Sequence, residues 1–209
     1  ATPNISYKRL LNGLSEKNIA IHAWSYIPAL DHQSQANEAW KSLRICKQKL
    51  ESRVGSLPQP TRLGHSLGCK LHLLAPDGGR NSNSLIALSF NNFTANKSIP
   101  MLRKVAPRLG VYTEFSPSPK ETMRLILERY HQPLNLLVSF DNDNLDQTPR
   151  LLNCLQQRQL DSSTSINLKG DHLTPASAGL RKSILGEWAD NEIRRQNLNR
   201  LIKTISEWT

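Results

Sequence analysis

Cysteine is scarce in this 209-residue chain: Cys46, Cys69 and Cys154 are odd in number, widely spaced and free of any CxxC pair. That arrangement offers no zinc framework, and a disulfide scaffold does not suit a chain of this length, so a reducing, cytoplasmic setting is expected. No apolar run approaches the ~20 residues of a membrane-spanning helix. The first residues also lack the charged-then-apolar pattern of a secretory leader. Acidic residues are outnumbered, 17 against 27 Lys and Arg, which leaves a formal charge of +10. A basic balance can serve nucleic acid, an anionic membrane face or an acidic partner. Here the positive charge is dispersed over Lys8/Arg9, Lys47/Lys49, Arg103/Lys104, Arg181/Lys182 and Arg194/Arg195. No compact basic run alternates with aromatic residues, as a stacking groove requires. The charge reads as a solvated surface, and no nucleic-acid partner is expected. Internal repeats and low-complexity tracts are also lacking.

What is present is ordinary globular material, 38% hydrophobic, of a length that suits one compact domain over residues 1–209. Tyr7, Leu10, Leu11 and Leu14 share a helical face, with Ser6 as the expected N-cap and Gly13 as an interruption. Ile19–Trp24 reads as a short buried strand. A long helix is expected from about Gln33 to Val54, stopped by Gly55 before Pro58 and Pro60. Thr61–Leu63 is a weak strand, followed by a helix over Cys69–Ala75 and the turn Pro76-Asp77-Gly78-Gly79. Strands are expected at Ser84–Phe90, Leu134–Phe140 and Ser165–Leu168, with helices at Lys120–Tyr130, Pro149–Arg158 and the C-terminus from Ile193. Asn91–Pro119 is polar and punctuated by proline, with a short helix near Met101–Val105. Alternating strands and helices predict an α/β fold, a mostly parallel sheet covered on both faces. Functional residues in such sheets gather at the carboxyl ends of the strands.

The chemistry concentrates at Gly64-His65-Ser66-Leu67-Gly68. A serine hydroxyl is a poor nucleophile at neutral pH and needs a base within reach and an exposed setting. The G-x-S-x-G pattern supplies the setting, a tight strand-to-helix turn whose small flanking residues let the backbone close around the serine. The amide of the residue after the nucleophile, Leu67, is the expected oxyanion donor. An acid and a histidine follow in the order this fold uses: Asp143 just past the strand ending at Phe140, and His172 just past the strand ending at Leu168. His172 would take and return the Ser66 proton, and Asp143 would fix the imidazole tautomer. Asp146 and then Asp141 share the acidic turn and remain alternatives, because strand ends read from sequence shift by ~2–4 residues. Asp171 reads as a turn residue. His65 reads as shaping the elbow, and His22, His72 and His131 as core, surface or loop residues. None is assigned to a metal, and no cofactor is called for.

At these residues the chain resembles the uncharacterised α/β-hydrolase-like proteins of cyanobacteria and plastids, known as a conserved domain of unknown function. The resemblance rests on Leu63-Gly64-His65-Ser66-Leu67-Gly68-Cys69-Lys70-Leu71-His72-Leu73-Leu74, Leu88-Ser89-Phe90-Asn91-Asn92-Phe93 and Phe115-Ser116-Pro117-Ser118-Pro119. It continues through Asp146-Gln147-Thr148 and Gly170-Asp171-His172-Leu173-Thr174-Pro175. It implies the α/β-hydrolase fold and the triad, in the cytoplasm or a plastid stroma, and no substrate. In such proteins a strand and small-residue turn precede the helix represented here by Tyr7. That strand lies between those represented by Ile19–Trp24 and Thr61–Leu63, and its turn donates the second oxyanion amide. The sequence begins at Ala1 without it, so a fold truncated at its N-terminus, or a misassigned start, is expected. Pro60 and Arg62 also depart from the apolar strand that normally enters the elbow.

Two functions follow. The first is a serine hydrolase of an ester, thioester or lipid-like acyl substrate, with a lid-like segment at about 91–130. In it Phe93, Ile99, Met101, Leu102, Tyr112 and Phe115 serve either lid packing or an acyl pocket. The second is a non-catalytic binding or assembly module that kept the elbow. Neither specifies an oligomeric state.

Overall fold

The computed structural model describes residues 2–95, 114–176 and 192–209. The expected Met101–Val105 helix, and Ile99, Met101, Leu102 and Tyr112 of the lid-like segment, lie outside them. The elements run α1 (Pro3–Ser6), α2 (Lys8–Ser15), α3 (His32–Val54), β1 (Thr61–His65), α4 (Leu67–Leu73), β2 (Ser84–Leu88), α5 (Pro119–Arg129), β3 (Asn135–Phe140), α6 (Thr148–Gln156), β4 (Thr164–Leu168) and α7 (Glu192–Trp208). The four strands pair in parallel in the order β1-β2-β3-β4.

Strand alternation sends successive side chains to opposite faces, and each face finds its own helices. On one face Ile86, Leu88, Leu136, Val138 and Phe140 pack against Leu10 and Leu14 of α2 and Leu198, Leu201, Ile202 and Ile205 of α7. On the other, Leu85, Ala87 and Leu137 meet Cys69 and Leu73 of α4, Ile126 of α5 and Leu151, Cys154 and Leu155 of α6. Burial on both faces explains why β2 and β3 read as near-continuous apolar runs. Gly13 also finds its reason, since a Cβ there would stand 2.4 Å from Ile202 Cδ1. Its absence lets α2 and α7 approach closely.

Two expectations need correction. Ile19–Trp24 is not a strand. The segment carries apolar residues but has no ladder partner among the described residues, and Ile21 stays 40% exposed; apolar character without a neighbouring edge does not make a strand. Ser6 does not cap the Tyr7 helix: it ends α1, and Tyr7 itself precedes α2 without a side-chain cap. Arg62, the departure noted in the strand entering the elbow, lies on β1 and is buried. Its guanidinium pairs with Asp77, whose carboxylate also accepts from the Gly79 and Asn81 amides. The expected Pro76–Gly79 turn thus supplies the counter-charge that makes a buried arginine tolerable.

Candidate active site

In a parallel sheet every carboxyl end lies along one edge, and here each of the four strands delivers a residue to it. Past β1 comes Ser66, with φ +56° and ψ −120°. Such a conformation costs a non-glycine residue about 1–3 kcal/mol and is held by its surroundings. The Ser66 amide donates to the Leu88 carbonyl at 3.0 Å, tying the turn to the end of β2. Gly64 is obligatory, because a Cβ would meet the Cys69 nitrogen at 2.6 Å and the Gly68 carbonyl carbon at 2.7 Å. Gly68 is not: the space beside it is open, so the second glycine of the pattern has no steric cause. Leu67 opens α4 as its first residue, where an amide has no helical acceptor.

Past β3, Asp143 has a side chain sealed from solvent, 0% exposed, and its Oδ2 lies 2.8 Å from His172 Nδ1. Its Oδ1 accepts from the Leu145 amide at 2.8 Å. Burial pushes this carboxyl upward, but the facing Ser89 side chain, His172 and the Leu145 amide outweigh it, so the group ends below the usual carboxylate range. The buried Ser89 hydroxyl faces the carboxylate without meeting a partner at hydrogen-bond geometry.

The rival acids are otherwise engaged. Asp146 Oδ1 accepts from the Thr148 amide and hydroxyl at 3.0 and 2.6 Å, and burial raises it. Asp141 accepts from the Gly170 amide at 3.0 Å and pairs with Lys169. It thereby fastens the β3 loop to the β4 loop.

His172 stands on a turn built by Asp171, whose amide donates to Thr174 Oγ1 at 2.8 Å. The Asp171 carboxylate receives Arg194 from α7. Gly170, at φ +143°, leaves room for Thr174, whose Oγ1 a Cβ would meet at 2.3 Å. Beneath the imidazole lies His65. Its Nε2 hydrogen-bonds the His172 carbonyl at 2.9 Å, and its Nδ1 lies 2.7 Å from the Tyr7 hydroxyl. Burial, then the neighbouring His172, pulls His65 down to about 4, while burial pushes Tyr7 up to about 12. Both are neutral at physiological pH. A phenol donates and a carbonyl accepts, so His65 carries its proton on Nε2. The chain Tyr7 → His65 → His172 carbonyl pins the backbone of the expected base.

Ser66 and His172 are not yet joined. No hydrogen bond links Ser66 Oγ to His172 Nε2; the hydroxyl instead accepts from Asn91 Nδ2 at 2.7 Å. Asn91, past β2, is the residue sequence reasoning passed over. The one signal it gives in sequence is its place just after the expected Ser84–Phe90 strand, at the same edge as the other three. Of the other histidines, His72 bonds the Leu63 carbonyl and His22 meets Ser42. Among the described residues no group of three or more His, Cys, Asp or Glu is placed to hold a metal, and no helix is long and apolar enough to cross a membrane. A groove of about 520 Å³ lies at the far end of α4, lined by Leu74, Arg80, Leu125, Arg129 and His131 among others, away from Ser66.

Solved structures share this architecture. Monoacylglycerol lipase from Paleococcus ferrophilus superposes with a TM-score of 0.58 at 15% identity, covering 97% of this chain and 89% of that one. Carboxyl esterase 2 from Tuber melanosporum gives 0.64 at 14% identity, covering 99% and 73%. A fungal esterase from Rhizomucor miehei gives 0.61 at 11%, covering 98% and 69%. Identities this low establish the fold, which is α/β-hydrolase-like. No curated protein matches the sequence. A family model matches the whole of residues 1–209, and the chain belongs to that family, described as "Protein of unknown function (DUF1350)".

Proposed function

We propose that this chain is a serine hydrolase acting on an ester, thioester or lipid-like acyl substrate, with Ser66 as nucleophile, His172 as general base and Asp143 as its orienting acid. The observation that carries the reading is the sealed Asp143 carboxylate 2.8 Å from His172 Nδ1, at the same sheet edge as a serine held at φ +56°. An ionised acid on Nδ1 leaves Nε2 as the acceptor for the serine proton. Ser66 Oγ attacks the acyl carbon as its proton passes to Nε2, and the Leu67 amide donates to the oxyanion. Collapse expels the alcohol or thiol, which takes the His172 proton, and water then repeats the sequence on the acyl-enzyme. Esterases and a lipase among the similar structures support an acyl substrate.

The resting Ser66–Asn91 bond favours a second reading, a binding or assembly module that kept the elbow. Fluorophosphonate labelling separates them. A hydrolase is labelled and loses the label in Ser66→Ala and His172→Ala; a module is silent.

A further inference from the structure

We infer that Asn91 is a catalytic residue whose side-chain amide donates to the oxyanion together with the Leu67 amide. The inference rests on the hydrolase reading and adds a group to it.

Placement comes first. Asn91 Nδ2 lies 2.7 Å from Ser66 Oγ, and Asn91 is half-buried. Its neighbours on both sides are anchored. Phe90 is fully buried, and its carbonyl accepts from the Gln147 amide at 2.6 Å. The Asn92 amide donates to Gln147 Oε1 at 3.0 Å, and Asn92 Nδ2 donates to the Pro119 carbonyl at 2.8 Å. Two residues upstream, the Ser89 amide is bonded to Val138 of β3. The elbow is itself tied to Leu88. Donor and nucleophile therefore sit on one braced frame, the preorganisation that makes an oxyanion donor effective.

The chemistry then moves the bond. In the resting state the best acceptor facing Asn91 is the serine hydroxyl. As Oγ bonds to the acyl carbon and gives its proton to His172 Nε2, Oγ becomes an ester-type oxygen and a poor acceptor. The carbonyl π pair moves onto the substrate oxygen, one carbon away. The amide now has a full negative charge within a side-chain rotation of its former partner, so its interaction is stronger in the transition state than in the ground state. When the carbon–leaving-group bond breaks, the carbonyl re-forms, the leaving group takes the proton from His172, and the amide returns to the serine after deacylation.

The test uses Asn91→Leu, a near-isostere without the amide, and Asn91→Ala, which removes it without filling space. Both are compared with wild type in fluorophosphonate labelling at Ser66, in turnover of a p-nitrophenyl acyl ester and in affinity for a trifluoromethyl ketone. The expected result is labelling and kcat reduced by about 10²–10³ with KM little changed, and ketone affinity reduced in parallel. Labelling at the wild-type rate in either folded variant overturns the inference. So does a fall in kcat with ketone affinity unchanged, which would confine Asn91 to holding the resting hydroxyl. A wild-type protein that is not labelled at all overturns the hydrolase reading, and Asn91's role with it.

Discussion

Tyr7→Phe tests whether the hydrogen-bond chain beneath His172 is real. The substitution keeps the ring, which packs against the α2–α7 core and meets His65 edge-on at 5.6 Å between centroids, and removes only the hydroxyl. What it leaves behind is His65 Nδ1, an acceptor in an enclosed site whose partner is the Tyr7 hydroxyl. An acceptor stranded in this way costs about 1–3 kcal/mol. Tautomer exchange gives no relief, because a proton on Nδ1 would turn a bare Nε2 toward the His172 carbonyl. The assay is a double-mutant cycle with His65→Leu, read by denaturant unfolding at pH 7. Each single variant leaves one buried partner unsatisfied and the double variant leaves neither of that pair, so a coupling of about 1–3 kcal/mol is expected. Coupling below about 0.5 kcal/mol, the level of independent sites, would refute the chain. In the same series His65→Leu should slow labelling of Ser66, since it unpins the His172 backbone.

Other outcomes follow from the same geometry. Gly64→Ala drives a Cβ into the backbone of α4 and should destabilise by more than about 3 kcal/mol or abolish folding, whereas Gly68→Ala should lie within about 1 kcal/mol of wild type and keep the label; equal effects would mean the elbow is not closed as described. Asp143→Asn should slow labelling by about 10⁴, the cost of the wrong tautomer, while Asp146→Asn should cost stability through Thr148 and leave labelling within about tenfold; the reverse ranking would move the acid to Asp146. Stability should also fall on acidification. Burial, with Lys70, His172 and Arg62 as the respective neighbours, pulls His32, His65 and His72 from 6.5 to about 4. Between those values the unfolded chain binds protons that the folded chain does not, so stability is full above pH 6.5 and drops toward pH 4, by up to about 1.4 kcal/mol per pH unit for each histidine. Asp146, raised by burial, works the other way. Unfolding midpoints that stay flat from pH 7 to 4.5 would contradict the burial of these rings.

Much of the fold and the candidate site is legible in the sequence. β2 and β3 are buried on both faces, so their sequences are apolar apart from Ser84, Asn135 and Ser139, and their ends could be placed to within two residues. Asp143 and His172 then fell at the sheet edge by strand logic alone. Ile19–Trp24 misled because a short apolar run says nothing about whether an edge is free to receive it. Arg62 looked like a fault in the strand because its counter-charge, Asp77, is hidden in a turn fifteen positions along, where a sequence shows only turn chemistry. Asn91 was overlooked for a related reason. An asparagine after a strand is ordinary loop composition, and only the positions of Leu88, Gln147 and Pro119 aim its amide at the serine. The pattern's two glycines looked equivalent, yet the crowding that makes Gly64 necessary comes from how the next helix folds back.

In the proposed reaction Ser66 is a nucleophile served by His172 and Asp143. Incubation of the purified chain with a fluorophosphonate, followed by peptide mass mapping, tests it most directly. A single adduct on Ser66 is expected, absent in Ser66→Ala and nearly absent in His172→Ala. A folded protein that takes no adduct, or takes it elsewhere, would contradict it.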